Sequence, residues 1–538
     1  EIPKRDWSSD VCSSDLAITL IWVAHPIHTE VVANIKSRDE ILAMLFSVLT
    51  MQQVLNYTKG GNVINLILTA VYYFLAMMAK ESPIMLLVII PLTLYMLTNT
   101  EIKKIVLSMA PVAISAGVYL IIRSMVLTSQ TGDDNIPWID NSMAAAPDFI
   151  HRQAMAFYVL AMYLKLLVFP HPMSSDYSYR QIPMVGFDNV FALFGLIAHI
   201  ALGIYALIRL NKKDPVAYGI LFYLAGISLV ANVLFLTRST AADRFLYFPS
   251  IGFAIALVIL LGRLLKIDFK NNMSFAGVGN LFAFNKNFSM VIVIILIAAS
   301  LKTIARNPDW KNDTTIFSTD VTHSPNSARI HFLHANHLLQ DIKQDKTPKE
   351  KIEANFNESL KHFKNALELH PGYNEAYMGL GEAYTYKNNF AEAIKWYEKA
   401  IEISPNFANA YNNLGNMYFK KQEYDKGISY LQKAIQIEPQ YADAYNNMGS
   451  CYFSKGDYQN GIKCFNKAIE ISPGFVDAYK NLGSSYGMMQ QYDKAIGYFL
   501  KALDYEPNNA DVCQFLGMTY KFKDRKSTRL NSSHVSES

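Results

Sequence analysis

The stretch ANAYNNLGNMYFKKQEYDKGISYLQKAIQIEPQY at residues 408–441 returns, with substitutions, as ADAYNNMGSCYFSKGDYQNGIKCFNKAIEISPGF at 442–475. The period is 34 residues, and small, aromatic and proline positions all keep it. A fixed period of this size is typical of a solenoid, in which each unit is a pair of antiparallel helices that stacks on the next. The residues that keep the period are Pro371, Pro405, Pro439, Pro473 and Pro507, Gly381, Gly415, Gly449, Gly483 and Gly517, Tyr377, Tyr411, Tyr445 and Tyr479, and Ala366, Ala400, Ala434, Ala468 and Ala502.

The recurring residues have a packing role rather than a chemical one. Glycine and alanine allow two helices to approach closely, aromatic rings fill the space between units, and proline ends the second helix. This is the tetratricopeptide repeat pattern. Residues 326–372 fit it as a degenerate repeat with a 12-residue insertion around Asp341–Lys351, because Pro325 and Pro371 are 46 residues apart. Full repeats are predicted at Asn374–Phe407, Ala408–Tyr441, Ala442–Phe475 and Val476–Asn509, followed by a lone helix at Ala510–Lys523.

The two halves of the chain differ in composition. Apolar residues make up 51% of the 538 residues and charged residues 17%, but the charges are sparse up to about Leu301 and frequent after it. The net charge of +4 is too small to indicate a nucleic-acid-binding protein. The four cysteines, Cys12, Cys451, Cys464 and Cys513, show neither a metal-binding spacing nor a disulfide framework. We therefore predict no metal site and no cofactor.

The first half contains a series of apolar runs. A membrane-spanning helix needs about 20 apolar residues to cross roughly 30 Å of hydrocarbon. The predicted fold class is therefore all-α, with a polytopic transmembrane helical bundle followed by a tetratricopeptide repeat α-solenoid. The predicted apolar cores are Ile41–Leu55, Val63–Met78, Ile84–Leu97, Ile105–Ile122, Val190–Leu210, Val216–Leu236, Ile251–Leu265 and Met290–Leu301, and Ala17–Ala24 is the end of one more.

Lysine and arginine in short loops favour the cytoplasmic side of a membrane. They occupy alternate connections here, at Lys59, at Lys103 and Lys104, at Arg209 to Lys213, and at Arg263 to Lys270. The last span starts from the cytoplasmic loop, so the repeats are predicted to lie outside. Gln153–Pro170 has outer loops at both ends and is predicted to lie along the interface or to re-enter. The predicted outer connections are His25–Glu30, Lys80–Ser82, Ser124–Arg152, His171–Arg180 and Thr237–Arg244.

The two ends of the chain differ from the rest. RDWSSDVCSSDL near the beginning and RKSTRLNSSHVSES from Arg525 resemble translated sequencing-adapter DNA. We therefore expect residues 1–16 and 524–538 to be foreign to the protein, and the protein to be truncated at both ends. Between them we expect a membrane domain at 17–305, a linker at 306–325, the degenerate repeat at 326–372 and the repeats at 373–523.

Ionisable residues gather in the predicted outer loops, which is where a reaction site should be sought, because such groups are costly at membrane depth. Each has a simpler explanation. His25 and Glu30 could cap a helix broken at Pro26, and Lys80 with Glu81 could be a snorkelling pair. The aspartates of the long loop could be turn residues. The residues are His25, His28, Glu30, Lys80, Glu81, Asp133, Asp134, Asp176, Asp243 and Arg244.

Several motifs, taken in chain order, resemble one family. They are HPIHTEVVANIKSRDEI, LAMMAKES, DDNIPW, LKLLVFPHPMSSDYS, AADRFLYFPSIGF and NPDWKNDTTIF. The family is that of the transmembrane and tetratricopeptide repeat-containing protein O-mannosyltransferases and their bacterial relatives, within the C-type glycosyltransferase superfamily. The resemblance covers nearly all of residues 17–524.

This resemblance implies an enzyme that transfers a mannose-like sugar from a polyprenyl-phosphate carrier to an acceptor hydroxyl at the outer face, with protein serine or threonine as the leading acceptor. Cations should neutralise the phosphate, and Arg244, Lys80 and Arg38 are the candidates. An acidic residue should take the acceptor proton. In the family it lies in the first outer loop, which here would precede Ala17, so we expect the fragment to lack it and to be inactive. The sugar and acceptor pocket would be formed by His25, His28, Glu30, Glu81, Asp133, Asp134, Asp176, Tyr177 and Asp243.

Asn413, Asn447 and Asn481 recur on the first helix of successive repeats. Asparagine amides can pair with both the donor and the acceptor of a peptide backbone, and the three residues resemble the asparagine ladder of the O-linked N-acetylglucosamine transferase superhelix. A peptide-binding role is one interpretation of them. The other is that they are solvated consensus residues.

Three functions are compatible with the sequence. The first is the transferase, with repeats that bind acceptor or partner proteins. The second is a catalytically inactive membrane anchor whose repeats scaffold a complex, and the third is a related transferase that acts on lipid or polysaccharide. We expect a multi-pass protein in contact with the lipid bilayer and not with nucleic acid, in a bacterial inner membrane in preference to an endoplasmic reticulum, with extracytoplasmic repeats.

Overall fold

The computed structural model describes residues 13–33, 38–127, 141–174, 177, 181–233, 236, 240–267 and 285–536, without the side chains at 13, 14, 30, 33, 127 and 526–536. The chain divides into two compact units, Glu1–His334 and Ala335–Ser538. Every regular element in these described ranges is helical. The predicted all-α class is therefore confirmed.

The first unit is built from apolar helices joined by polar turns. Short 3-10 turns at Pro26–His28, Ser82–Met85, Ser142–Ala145, Asp243–Leu246 and Asn307–Trp310 lie between its helices. The helices are α1 (Ser13–Ala24), α2 (Thr29–Ala33), α3 (Arg38–Gly60), α4 (Val63–Ala79), α5 (Leu86–Leu97), α6 (Ile102–Leu127), α7 (Phe149–Val168), α8 (Val190–Leu210), α9 (Pro215–Ser228), α10 (Pro249–Leu264), α11 (Lys286–Arg306) and α12 (Asp313–His323).

Four helices of the described residues are long and apolar enough to cross a membrane, namely α3, α6, α8 and α11 with the turn that follows it. The other predicted cores form the shorter apolar helices α1, α4, α5, α9 and α10. Four of the nine predicted runs therefore form helices of spanning length, and the other five coincide with shorter apolar helices, whose crossing of the membrane stays a prediction. We call the first unit the membrane unit.

Helix α8 has the surface that a helix in contact with lipid requires. Its outward positions carry bulky aliphatic side chains, with Ile197 57% and Ile204 54% exposed, whereas Gly195 and His199 are buried. Such a surface is unfavourable in water and stable against hydrocarbon. The inner face approaches α7 so closely that a Cβ on Gly195 would stand 2.0 Å from the Phe157 carbonyl oxygen.

Helix α9 ends earlier than the sequence predicts. The apolar run predicts a span over Val216–Leu236, but the helix ends at Ser228. The chain then turns, and Asn232 takes a left-handed backbone conformation with φ 58°. Its buried side chain accepts a hydrogen bond from the Asn141 amide at 2.9 Å and donates to the Thr240 carbonyl at 3.2 Å. These bonds fix the turn, and hydropathy does not reveal it because the residues after Ser228 remain apolar.

Helix α7 covers most of the segment 153–170, which was predicted to lie along the membrane interface or to re-enter because outer loops flank it at both ends. Its side chains are buried on several faces, including the consecutive residues Ala154, Met155 and Ala156, and it packs against α8. The Asp148 carboxylate caps its first turn by accepting from the His151 amide at 2.8 Å. The helix is thus part of the core of the membrane unit, and its depth in the bilayer stays a prediction.

Residues 306–325 differ from the expected linker. They form the Asn307–Trp310 turn and helix α12, and the side chain of Asp320 in this helix is fully buried. The Asn312 side chain accepts from the Thr315 amide, while the Thr315 hydroxyl accepts from the Asn312 amide, which closes a capping box. This segment is therefore a packed part of the membrane unit.

The remaining helices follow the predicted period as successive pairs. The tight turn between the two helices of a pair has one residue in the left-handed region, at Asn388, Gln422, Gly456 and Gln490, with φ between 56° and 89°. Only one of these is glycine, so the other turns are held against a local preference. The helices are α13 (Ala328–Lys343), α14 (Ile352–Leu369), α15 (Asn374–Tyr386), α16 (Phe390–Ile403), α17 (Ala408–Lys420), α18 (Tyr424–Ile437), α19 (Ala442–Ser454), α20 (Tyr458–Ile471), α21 (Val476–Met488), α22 (Tyr492–Tyr505) and α23 (Ala510–Ser536).

The repeat glycines lie where two helices of a pair meet. A Cβ on Gly449 would stand 2.6 Å from the Phe465 ring, and one on Gly483 would stand 2.6 Å from the Phe499 ring. Both rings are only 1% exposed. The predicted packing role of these glycines therefore has a steric basis in the structure.

Candidate functional site

Four polar segments of the first unit come together. The turn Pro26–His28 contacts the turn Asp243–Leu246 and helix α11, and helix α2 contacts the turn Asn307–Trp310. All four segments belong to connections that the lysine and arginine pattern assigns to one side of the membrane. We call these three turns and α2 the outer-loop cluster.

His25 is held as a neutral imidazole. Its Nδ1 accepts from the Ile27 amide at 3.2 Å, so Nε2 carries the proton and donates to the Leu167 carbonyl at 2.9 Å. Burial lowers the pKa of His25, and the hydrogen bond to Leu167 offsets only part of this effect. His25 therefore caps the Pro26–His28 turn, as one explanation of the sequence had it, and ties the outer-loop cluster to α7.

His28 belongs to an aromatic group at the same place. Its ring centroid lies 5.0 Å from those of Trp22 and Tyr247. Its Nε2 lies 3.0 Å from Ser250 Oγ, which accepts from Trp22 Nε1 and donates its own proton to the Tyr247 carbonyl at 2.7 Å. Since the hydroxyl proton is used there, His28 Nε2 is the donor. Burial, together with neighbouring His25, holds the pKa of His28 well below its usual value, so His28 is neutral as well.

Lys80 is already paired with two carboxylates. Its Nζ lies 2.5 Å from Asp39 Oδ2 and 3.5 Å from Glu40 Oε1. Burial alone would lower the pKa of Lys80, but the hydrogen bond to Asp39 and the charges of Glu40 and Asp39 outweigh it and raise the value. Glu40 also accepts from the Ser82 hydroxyl at 3.3 Å. Asp39 and Glu40 belong to the SRDE part of the first motif. They are not among the predicted site residues, because their partner Lys80 lies about 40 residues further along the chain.

The other cations of this region differ in their surroundings. Glu81, with 64% of its side chain exposed, forms an ion pair with Arg123 rather than with the neighbouring Lys80. Arg38 is exposed, and no ion pair to it occurs within the described residues. The Arg244 guanidinium is partly exposed and lies 5.2 Å from the centroid of the Phe245 ring. Arg38 and Arg244 are therefore the more accessible cations of the predicted donor set.

Tyr177 and Asp243 meet inside the unit. The Tyr177 hydroxyl donates to Asp243 Oδ1 at 2.9 Å and accepts from the Ser174 amide at 2.9 Å. Each side chain is 4% exposed. Burial and the negative charge of Asp243 raise the pKa of Tyr177 well above its usual value. Tyr177 therefore stays protonated and serves as a hydrogen-bond donor, and Asp243 is enclosed rather than open to an acceptor.

Arg306 is a buried cation that the motifs do not single out. It ends α11, is 4% exposed, and donates to Asp309 Oδ2 at 3.0 Å and to Asp320 Oδ1 at 3.3 Å. The charge of Asp243 acts on the same guanidinium. The signal in the sequence was an arginine directly after an apolar run, followed by the NPDW motif.

Some predicted pocket residues lie outside the described part of the chain. Asp133, Asp134 and Asp176 are among them, and for Glu30 the structure describes the backbone in α2 but not the side chain. Whether they join the outer-loop cluster stays a prediction.

The asparagines that were predicted to bind a peptide form hydrogen bonds between neighbouring repeats. Asn447 Nδ2 donates to Asn412 Oδ1 at 2.9 Å, and Asn481 Nδ2 donates to Asn446 Oδ1 at 2.8 Å. Asn412 and Asn446 are buried, so these bonds satisfy polar groups that would otherwise be costly. The side chains are therefore neither simply solvated nor wholly available to a ligand, and peptide binding by Asn413, Asn447 and Asn481 stays a prediction.

The sequence matches the profiles of two kinds of family. Residues 136–194, which include α7 and the start of α8, match the family described as Protein O-mannosyl-transferase TMTC, DUF1736. The tetratricopeptide repeat profile matches residues 408–441, 442–475 and 476–509, and a related TPR profile matches residues 381–422.

Curated relatives carry the same family name. Protein O-mannosyl-transferase TMTC3 of Mus musculus is 25% identical over 418 residues, which cover 70% of this chain and 41% of the mouse protein. TMTC1 of Homo sapiens is 25% identical over 67% of this chain and 43% of its own length. F38B6.6 of Caenorhabditis elegans, also named a protein O-mannosyl-transferase, is 24% identical over 66% of this chain and 46% of its own length. The chain thus spans less than half the length of these relatives.

Solved structures resemble the repeats. The crystal structure of MamA is 32% identical and covers 30% of this chain and 95% of its own, with a TM-score of 0.27. The structure of YrrB, described as a TPR protein with an unusual peptide-binding site, is 24% identical and covers 37% of this chain and 96% of its own, with a TM-score of 0.28. The family profiles and the curated relatives confirm the resemblance carried by the motifs: the chain contains a segment that matches the TMTC family together with tetratricopeptide repeats, and it is similar to the TMTC protein O-mannosyl-transferases.

Proposed function

We propose that this protein is a membrane glycosyltransferase that moves a mannose-like sugar from a polyprenyl-phosphate-linked donor to a serine or threonine hydroxyl of a protein. The transfer takes place at the extracytoplasmic face, and the tetratricopeptide repeats bind acceptor or partner proteins there. The relatives that carry the O-mannosyl-transferase name support the sugar chemistry. The lysine and arginine pattern of the loops supports the face.

One observation carries the proposal, namely the convergence of the outer-loop cluster. Its turns come from positions more than 200 residues apart in the chain, at Pro26–His28 and Asp243–Leu246, yet they are in contact. Around them lie neutral histidines, a buried tyrosine and several cations. Polar and ionisable groups at the end of an apolar bundle are energetically costly. In membrane proteins such groups are typical of functional sites.

The charge balance separates the donor-phosphate candidates. A phosphate leaving group needs cations that are not already neutralised. Lys80 is paired with Asp39 and Glu40. Arg38 has no such partner in the described ranges, and as a cation in the first turn of α3 it opposes the helix dipole, so it does not stabilise that helix. We therefore assign the donor phosphate to Arg38, together with Arg244 because its guanidinium is partly exposed, and give Lys80 a supporting role.

Four described residues of the site are not placed to act as the general base. Asp243 already accepts from Tyr177, and Glu40 faces Lys80 and Ser82, so neither carboxylate is placed to receive a proton from an acceptor. His25 Nε2 and His28 Nε2 are donors in their hydrogen bonds, which excludes these nitrogens as bases in this arrangement.

The test uses the full-length protein in proteoliposomes, with a tritiated polyprenyl-phosphate mannose and a serine- and threonine-rich peptide. We expect transfer by the wild type and a loss of roughly a hundredfold in Arg244→Ala and Arg38→Ala, because each removes a charge from the leaving group. Lys212→Ala, an exposed residue of a predicted cytoplasmic loop, is the control and should retain activity. Full folding of the wild type without any transfer would instead favour the inactive scaffold, and transfer to lipid alone would favour a lipid-directed enzyme.

A further inference from the structure

The network around Arg306 lies at the edge of the outer-loop cluster and joins three elements. Arg306 ends α11, Asp309 belongs to the next turn, and Asp320 lies in α12 with no exposed surface. The guanidinium binds both carboxylates, and its Cζ lies 5.9 Å from the centroid of the Trp310 ring. Asp309 is held in turn by the Thr319 hydroxyl, which donates to its Oδ1 at 3.2 Å. The arginine is thus fixed from two sides.

The same arginine acts on a fourth element. Asp243 lies within electrostatic range of the Arg306 guanidinium and accepts the Tyr177 hydroxyl. Asp243 begins the 3-10 turn that continues with Arg244. The loop of Tyr177 is attached to α12 as well, because His323 Nδ1 donates to the Met173 carbonyl at 2.9 Å. The Asp243–Leu246 turn is therefore linked to α12 through Tyr177 and its loop, and Arg306 holds α12 through Asp320.

We propose that Arg306 is a positioning residue for sugar transfer: by holding α12 through Asp320, it fixes the Tyr177 loop and with it the turn that presents Arg244 to the donor phosphate. The inference rests on the proposed function, since it assigns Arg306 a role in that reaction. It differs from a purely structural role in one respect. A structural ion pair would set only how much protein folds, whereas a positioning residue sets how well the folded protein turns over.

The variant pair Arg306→Gln with Asp320→Asn tests this. Both side chains keep their hydrogen-bonding capacity and lose their charges together, so Asp320 is not left as a buried unpaired ion, while Asp243 also loses the charge of Arg306. The matched control is Arg263→Gln with Asp214→Asn, because Arg263 Nη2 and Asp214 Oδ1 form a 2.6 Å ion pair in the same unit, in connections assigned to the opposite side of the membrane. Arg306→Lys, which keeps the charge, serves as the conservative variant.

Two readouts are needed in the full-length protein. The first is kcat/KM for the polyprenyl-phosphate mannose per folded molecule, which should fall about tenfold or more in the Arg306 pair and partly recover in Arg306→Lys, while the control pair stays within twofold. The second is hydrogen exchange of the 242–247 amides, two of which bond to the Ala242 and Arg244 carbonyls. Their exchange should accelerate in the Arg306 pair and not in the control.

The outcomes separate the two proposals. If the wild type transfers mannose and the Arg306 pair transfers it equally well, the positioning role is overturned. Unchanged exchange in the 242–247 turn overturns it as well, whatever the activity. If exchange accelerates as expected but the folded wild type transfers no sugar, the proposed reaction fails, and with it the assignment of Arg306 to that reaction.

Discussion

Two glycines of one repeat offer a sharp test of the packing account, because both lie inside helices but differ in their surroundings. Gly483 in α21 faces the Phe499 ring, and a Cβ there would stand 2.6, 2.7 and 2.8 Å from three ring atoms. Gly497 in α22 has no atom within 4 Å of the same virtual Cβ. Both sit inside helices of the 476–509 repeat.

The expected effects have opposite signs. Carbon atoms pack at about 3.5–4.0 Å, so in Gly483→Ala the buried ring must move by about 1 Å. Overpacking of this kind costs about 1–3 kcal/mol, which outweighs the gain of about 1 kcal/mol in helix propensity. In Gly497→Ala only the propensity gain remains, so the repeat should become about 1 kcal/mol more stable.

Hydrogen exchange of the α21 and α22 amides, followed by mass spectrometry in detergent micelles, measures the free energy of local opening. We expect faster exchange than the wild type for Gly483→Ala and slower exchange for Gly497→Ala. Equal protection in the two variants, or higher protection in Gly483→Ala, would show that the 34-residue recurrence of glycine at the Gly483 position does not reflect close packing against the ring.

Three further outcomes follow from the polar contacts. Tyr177→Phe removes the hydroxyl that donates to the buried Asp243 carboxylate and accepts from the Ser174 amide, so we expect a loss of about 1–3 kcal/mol in thermal stability of the membrane unit, and an unchanged melting temperature would contradict the contact. The folded-state pKa values of His25 and His28 lie below 6.5, so the unfolded protein binds more protons and stability should fall by up to about 1.4 kcal/mol per histidine for each pH unit below 6.5. Melting at pH 7.5 and 5.5 tests this, and His28→Gln should flatten the slope. Asn447→Ala and Asn481→Ala remove donors to Asn412 and Asn446, and each should increase hydrogen exchange in the adjoining repeat by an amount that corresponds to about 1 kcal/mol.

The sequence predicted those parts of the fold that depend on local periodicity. The 34-residue period fixed the helix pairs, and hydropathy fixed the apolar helices. Hydropathy did not predict where α9 ends. The turn at Asn232 is held by hydrogen bonds to Asn141 and Thr240, while the neighbouring residues stay apolar. Periodicity describes which face of a segment is buried and says nothing about a polar contact with a distant loop.

The sequence predicted which residues belong to the polar site better than it predicted which of them form ion pairs. The charge pattern placed His28, Lys80 and Asp243 on one side of the membrane, but it could not show that Lys80 is neutralised by Asp39 and Glu40. That pairing depends on how closely α3 and α4 approach. Arg306 was missed because its partner Asp320 lies in a segment that has no apolar run and was expected to be a linker.

The asparagines show a limit of a different kind. Their 34-residue recurrence indicates a ladder, but the bonds in the structure join residues 35 apart, such as Asn447 and Asn412. The extra residue is a property of how one repeat is offset from the next. A one-dimensional period does not contain that offset, so the bridging role could not be separated from a binding role in advance.

The proposed reaction requires the outer-loop cluster and the repeats to share one extracytoplasmic compartment, and cysteine labelling tests this. Cys513 is exposed, whereas Cys451 and Cys464 are buried and burial raises their pKa values to about 12 and about 11, so they remain unreactive thiols near pH 7. In a Cys12→Ser background, a membrane-impermeant maleimide applied to intact cells should label Cys513. With Cys513 also replaced by serine, it should label Glu81→Cys, and label Lys212→Cys only after permeabilisation. Labelling of Lys212→Cys in intact cells, with Cys513 or Glu81→Cys protected, would contradict the topology and with it transfer at the outer face.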